Sequence, residues 1–225
     1  MSATGQGPRL GGDDDVYPTP HWCVDRLLDE VQLPGGLWIE PGAGDGAIIR
    51  AVNARRSDVS WLAIESRATM HEPLLATGAD VIIDDYLAYG RYPTRAAEAT
   101  VVFGNPPYSC AFDFITRSME IAPTALVVLL LRVNFLASQE RNAFMRESAP
   151  DLNVLPDRPS FRTTVKKVVI DGKVRTRKTN SDSCEYGWFV WHPDVDAGRP
   201  RVGALRVLAT TPKAVRIAAR KAAGR

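Results

Sequence analysis

Five short apolar runs, at residues 37–39, 61–64, 81–83, 100–103 and 125–131, punctuate the first 131 residues, and each is followed within two residues by a polar side chain. Between them lie stretches with helical patterning, at 47–55, 68–77 and 111–121. A run that is apolar on both sides of the pleat belongs to a strand covered on both faces. The alternation therefore predicts a doubly wound α/β fold with a mostly parallel sheet. Open sheets of this kind bind ligands in the crevice beyond the carboxyl ends of their strands. Glu40, Glu65, Asp84-Asp85, Gly104-Asn105 and Arg132 all fall there.

The flanks are organised differently. Residues 1–15 read as a flexible leader ending in Asp13-Asp14-Asp15. Tyr17-Pro18-Thr19-Pro20 is a rigid turn, in which Thr19 is expected to cap a helix over 21–31 with Pro20 in its first turn. Pro34-Gly35-Gly36 ends that helix. Beyond the fifth run, 137–148 reads as a polar amphipathic helix. Residues 163–170 and 173–179 flank Asp171-Gly172, a strong hairpin signal. Residues 186–191 regain apolar strand character and are expected to rejoin the sheet, and 199–225 suggests a last strand and a basic helix. The domain reading is a leader at 1–15, a core at 16–198 with a basic hairpin insert at about 157–183, and a basic segment at 199–225.

Charge is unevenly spread. The chain holds 28 basic and 26 acidic residues. Seven of the basic ones (Arg162, Lys166, Lys167, Lys173, Arg175, Arg177, Lys178) crowd into 162–178 with one acid, and eight more follow Asp196 with none. This asymmetry suggests a polyanion met by the C-terminal third, the alternative being a solvated hairpin and tail. Three scattered cysteines, Cys23, Cys110 and Cys184, indicate neither a disulfide framework nor a zinc site and suit a reducing cytoplasm. His21, His71 and His192 have no metal-ligand spacing. The polar start lacks a signal peptide, and the longest apolar run is too short to span a membrane. A monomer is the expected state.

Glu40-Pro41-Gly42-Ala43-Gly44-Asp45-Gly46 follows the first strand and opens a helix. Glycines let a backbone approach a ligand closely. Two details separate this turn from a dinucleotide-binding one, namely the acid ahead of the glycines and the lack of a third glycine at the dinucleotide spacing. A carboxylate there repels a pyrophosphate but suits a ligand with an ammonium and a sulfonium group, so S-adenosyl-L-methionine is the expected cofactor. Glu65, with Ser66 beside it, is the candidate partner for ribose hydroxyls. Asp85, with Asp84 as near-equal alternative, is the candidate for the adenine amino group. Tyr86 or Leu87 is expected against the adenine ring.

Gly104-Asn105-Pro106-Pro107-Tyr108 closes the fourth strand. An amino group conjugated to a ring or carbonyl has a delocalised lone pair and is a poor nucleophile. The Asn105 side-chain oxygen and the Pro106 carbonyl can both accept from such an NH2 and draw its nitrogen toward tetrahedral geometry. Pro106 and Pro107 stiffen the segment, and Tyr108 offers a face to a planar substrate.

This motif resembles the catalytic motif of amino-methyltransferases. Tyr17-Pro18-Thr19-Pro20 is similar to the leading motif of DNA N6-adenine methyltransferases, where it packs over the cofactor. That implies contact from Tyr17, Thr19 and Pro20, beside Pro41, Gly42, Gly44 and Asn105. The order of leading motif, cofactor turn, catalytic motif and basic segment resembles the gamma arrangement. The short chain and the strand at 186–191 resemble small phage-type enzymes. The resemblance covers about residues 16–192. It implies a seven-stranded Rossmann-like methyltransferase sheet carrying a small basic hairpin, and transfer to adenine N6 in DNA. Asn105 stands where many adenine enzymes carry Asp, and the insert is small for a target-recognition domain.

Acting on duplex DNA requires extruding the base. Phe161, placed before the hairpin, is the candidate to stack on the base's second face or is a core aromatic. Arg162, Lys166, Lys167, Lys173, Arg175, Arg177 and Lys178 are candidate phosphate contacts. Arg132 and Asn134 line the pocket or serve packing and capping. An RNA adenine-N6 or guanine-N2 enzyme, a protein glutamine enzyme and a non-catalytic nucleic-acid-binding module remain open.

Overall fold

The computed structural model describes residues 18–88, 90, 92–159, 161, 164–170, 173–179, 184–193, 202–210 and 212–222. Tyr17, Arg162 and the leader lie outside them. The strands in chain order are β1 (Gly36–Pro41), β2 (Val59–Glu65), β3 (Asp80–Ile83), β4 (Val101–Gly104), β5 (Leu126–Arg132), β6 (Asp151–Val154), β7 (Thr164–Ile170), β8 (Lys173–Thr179), β9 (Tyr186–Trp191) and β10 (Leu205–Val207). The helices are α1 (His21–Glu30), α2 (Ala47–Asn53), α3 (His71–Leu75), α4 (Ala111–Ile121), α5 (Asn142–Glu147) and α6 (Lys213–Ala222).

Eight strands form one sheet in the order β10-β6-β9-β5-β4-β1-β2-β3. Every pairing is parallel except those of β9, which runs antiparallel between β5 and β6. From the β1–β4 pair the chain winds outward in both directions, to β2 and β3 on one side and to β5 on the other. The switch point therefore lies between β1 and β4, beside the glycine turn and the Asn105 motif.

Alternating side chains feed two cores, as the two-residue period of a strand requires. Trp38, Phe103 and Trp188 join Val24, Leu27 and Ile49 on one face. Ile39, Val102 and Phe189 join Phe114 and Ile115 of α4 on the other. Trp38 stacks on Phe103 with centroids 5.3 Å apart, and Phe103 lies 4.7 Å from Trp188. The indole N–H of Trp188 donates to the Cys23 carbonyl at 2.8 Å and ties α1 to β9.

The sheet has one strand more than the seven expected. Asp-Leu-Asn-Val at β6 has too few apolar residues to announce a strand, and β10 is a short exposed edge. Through β10, part of the basic C-terminal segment belongs to the main sheet. Two predicted helices are cut short. The helix expected at 68–77 is a 3-10 turn over Ala68–Met70 followed by α3. Pro73 lacks the N–H that a continuous α-helix needs there, and proline is tolerated only in a first turn. The helix expected at 137–148 keeps only α5. Ahead of it the Arg141 guanidinium reaches back to the Phe135 carbonyl at 3.1 Å and closes the preceding 3-10 turn.

Gly187 is where β9 presses on β6. A Cβ there would lie 2.7 Å from Leu152 Cδ1 and 3.1 Å from the Asn153 carbonyl oxygen. Gly187→Ala is expected to cost ~1–3 kcal/mol through overpacking. Calorimetry should then show a fall of about 5 °C in the unfolding midpoint. Among the described residues no helix is long and apolar enough to cross a membrane.

Candidate active site

The Gly-rich turn is pinned to the neighbouring strand end. The Gly42 and Ala43 N–H groups both donate to the Ile64 carbonyl, at 2.8 and 3.1 Å. Gly42, Gly44 and Gly46 have φ of 66°, 57° and 80°, the left-handed region that side chains disfavour. Gly46 also admits α3, since a Cβ there would lie 2.8 Å from Thr77 Cγ2.

Glu40 is buried at the end of β1, and its Oε2 has no hydrogen-bond partner. Burial pushes its carboxyl well above the usual range, and Asp45 and then Glu65 add to this. The Ile49 backbone N–H opposes it by more than Glu65 adds, and Arg50 opposes it least. A buried acceptor of this kind is costly unless a donor or a cation meets it. This orphaned oxygen, beside glycines that leave the backbone open, fits a ligand ammonium.

Glu65 ends β2 and is fully engaged. Its Oε2 accepts from Gly44 N–H at 2.8 Å, and its Oε1 accepts from the Arg67 backbone N–H at 3.1 Å and from Arg67 Nε at 2.9 Å. Burial opposes its ionisation, but Arg67 and the two backbone N–H groups outweigh this and hold the carboxyl below its usual range. Ser66 is exposed, its hydroxyl 3.4 Å from Glu65 Oε1. Asp85 is exposed past β3 and folds its Oδ1 onto the Leu87 N–H at 2.9 Å. Tyr86 corrects the expectation that it lies against an adenine ring. Its ring is buried in the core, 5.1 Å from Phe114, with its hydroxyl hydrogen-bonded to Ser118 at 2.9 Å.

The Asn105 motif sits hard against this turn. A Cβ on Gly104 would lie 3.4 Å from the Pro41 carbonyl oxygen, so the ends of β4 and β1 abut. Pro106 is buried and Pro107 exposed, and the Pro107 carbonyl accepts from Cys110 N–H at 3.2 Å, which opens the 3-10 turn Tyr108–Cys110 leading into α4. Asn105 Nδ2 donates to Thr19 Oγ1 at 3.1 Å, and the Tyr108 hydroxyl donates to Asn105 Oδ1 at 3.0 Å. Thr19 therefore does not cap α1 as expected. Pro20 takes the cap position without a side-chain bond, and the buried Thr19 hydroxyl turns to Asn105 instead.

Tyr108 is half-buried among groups from β5 and β9. The Arg132 guanidinium lies over its ring, 5.1 Å from the centroid, and Tyr186 lies 5.6 Å away. Phe161 packs edge-to-face on Tyr186 at 5.2 Å, so Tyr108, Tyr186 and Phe161 form an aromatic file. Asn134 is exposed in a 3-10 turn just beyond Arg132. Sequence reasoning missed Tyr186, Arg67 and the Thr19 contact. Tyr186 stands opposite Arg132 in the β5–β9 register, a relation invisible until that antiparallel pairing is known.

The basic insert is a hairpin in which β7 and β8 pair antiparallel, with Lys166 opposite Arg177 and Val165 opposite Lys178. It makes a two-stranded sheet apart from the main one. Lys167, Lys173 and Arg175 lie on its strands, and Asp171-Gly172 lies outside the described residues. Among the described residues no group of three or more His, Cys, Asp or Glu side chains is placed to hold a metal ion.

No protein-family model and no curated protein matches the chain. Solved structures do. A predicted O-methyltransferase, protein Atu636 from Agrobacterium tumefaciens, aligns over 85% of this chain and 86% of its own, at 15% identity and a TM-score of 0.53. The fold is that of the Rossmann-like methyltransferases. Also similar are the 23S rRNA methyltransferase ErmE, at 12% identity over 88% of this chain and 73% of its own with a TM-score of 0.48, and a dimethyladenosine transferase from Plasmodium falciparum. The latter aligns over 79% of this chain and 63% of its own, at 13% identity and a TM-score of 0.47. Within this methyltransferase fold, the glycine turn and the Asn105 motif occupy the two strand ends that flank the switch point.

Proposed function

We propose that the chain transfers a methyl group from S-adenosyl-L-methionine to the N6 amino group of adenine in DNA. The observation that carries this reading is the Asn105 carboxamide oxygen, held beside the glycine turn and accepting from an O–H donor at 3.0 Å. S-adenosyl-L-methionine, when bound, supplies an electrophilic methyl group on its sulfonium. Glu40 Oε2 receives the ligand ammonium, and Gly42 and Gly44 let the backbone close on it. Thr19, Pro20 and Pro41 flank the same site, and Tyr17, outside the described residues, is assigned to it from the leading motif alone. Glu65, Ser66 and Asp85 are the acceptors for the ribose and adenine groups, with Arg67 giving way on Glu65.

On the substrate side, Asn105 Oδ1 and the Pro106 carbonyl accept from the target amino group, and the Tyr108 ring stacks on the base. The two acceptors localise the nitrogen lone pair, so positioning and polarisation do most of the work and no strong base is needed. The N–CH3 bond would form as the S–CH3 bond breaks, leaving a neutral thioether, and the spare N6 proton passes to solvent water after transfer. A base in duplex DNA reaches such a site only when extruded. The hairpin at about 157–183 supplies phosphate contacts through Arg162, Lys166, Lys167, Lys173, Arg175, Arg177 and Lys178, and Phe161 at its base extends the aromatic file. In this reading residues 16–198 together with the sheet strand β10 form the catalytic unit, and the basic helix α6 that follows is an adjunct. DNA is preferred over RNA because of Tyr17-Pro18-Thr19-Pro20, the motif order and the basic hairpin.

The test is transfer of labelled methyl groups to unmethylated DNA. N6-methyladenine should appear on digestion, and the rate should fall steeply with added salt as phosphate contacts are screened. Label found only in RNA or protein overturns the DNA assignment, and no transfer to any of the three overturns the activity.

A further inference from the structure

We infer that Thr19 is a positioning residue that sets which end of the Asn105 carboxamide faces the substrate. The inference rests on the amino-methyltransferase reading. A carboxamide has two ends of nearly equal shape, an oxygen that accepts and an NH2 that only donates. A substrate amino group can be polarised by the oxygen alone, because the other end would set N–H against N–H. The orientation of this one group therefore decides between a productive and an unproductive site.

The structure arranges a directed chain through it. The Tyr108 O–H donates to Asn105 Oδ1, and Asn105 Nδ2–H donates to Thr19 Oγ1. The two hydroxyls are not equivalent. Tyr108 stands where the incoming amino group must bond, so its hydroxyl yields Oδ1 to the substrate. Thr19 is buried, with 4% of its surface exposed, and stands on the opposite end of the amide. It reaches this place from 86 residues away in sequence, between Pro18 and Pro20, whose rings fix their own backbone φ. When the substrate takes Oδ1, Thr19 is the partner that remains and keeps the NH2 end turned away. The leading turn thus serves the catalytic motif directly, besides flanking the cofactor.

The test compares Thr19→Val, which keeps the shape and removes the acceptor, with Thr19→Ser, which restores it. In Thr19→Val, kcat is expected to fall about tenfold, equal to ~1.4 kcal/mol of barrier. The KM for DNA should stay within about twofold, and Thr19→Ser should recover most of the rate. A kcat unchanged in Thr19→Val, or a raised cofactor Kd with kcat intact, overturns the assignment. Independently of turnover, the side-chain amide signals of Asn105 should move in Thr19→Val and return in Thr19→Ser. Tyr108→Phe should leave the nitrogen-side bond in place. Unmoved signals in Thr19→Val also overturn it. A protein that transfers no methyl group but shows these shifts refutes the proposed activity and keeps the contact.

Discussion

Asn105→Ala is expected to lower methyl transfer by about 10²–10³-fold, the usual loss when one preorganised polar group at a reacting centre is deleted. The cofactor Kd should change by less than about threefold. The two readouts separate because Asn105 ends β4, whereas the orphaned carboxylate and the open glycines that would hold the cofactor end β1 and begin α2. The fold should survive, since Asn105 is only half-buried and lies just past a strand end rather than in the core. Asn105→Asp is the informative companion. It keeps an acceptor oxygen, and Thr19 and Tyr108 can both donate to it. It should retain transfer within about tenfold of the native rate. Single-turnover transfer of labelled methyl, with calorimetric titration of the cofactor, checks both. Normal transfer by Asn105→Ala refutes the proposed mechanism.

The sheet was legible where burial is symmetric. Strands β4, β5 and β9 and the ends of β1 and β2 are buried on both faces, and an uninterrupted apolar run announces that directly, whereas β3 is a half-buried edge strand announced by Val81-Ile82-Ile83 alone. β6 was not legible, because Asp151 and Asn153 interrupt it, and it is held in the sheet by register with β9 and β10. The site divides in the same way. The strand-end positions of Glu40, Glu65 and Asn105 were readable because each is a polar residue that closes a buried apolar run, a position fixed by local sequence. Tyr86 also follows a strand, but its ring turns into the core toward Phe114 and Ser118 of α4. Nothing in a strand-end pattern tells which way a side chain turns. Thr19 was misread for a related reason. Its local environment matches a helix cap, and a partner from 86 residues away displaced that role.

Glu40→Gln should weaken cofactor binding by about 10- to 100-fold, from the ~1.5–3 kcal/mol that a hydrogen bond to a charged group contributes. It should do so without destabilising the free protein at neutral pH. The reason is the direction of the Glu40 shift. Burial, with Asp45 and then Glu65 nearby, raises its pKa well above the ordinary carboxylate value of about 4.3. Between that value and the raised one, the folded state holds a proton that the unfolded state has lost. Stability from this group is therefore fully present below the ordinary pKa and is lost as pH rises through the raised one. Gln carries no titrating proton, so the variant should lack that slope and be at least as stable as the native protein at neutral pH. A ligand ammonium reverses the preference, since it favours the ionised carboxylate. Cofactor binding should then release a proton and strengthen with pH across the same window, and both effects should vanish in Glu40→Gln. Calorimetric titrations in buffers of different ionisation enthalpy, from about pH 5 to about pH 8, measure the proton directly. PH-independent binding without proton release in the native protein would remove Glu40 from the ammonium site and leave its buried oxygen a structural cost alone.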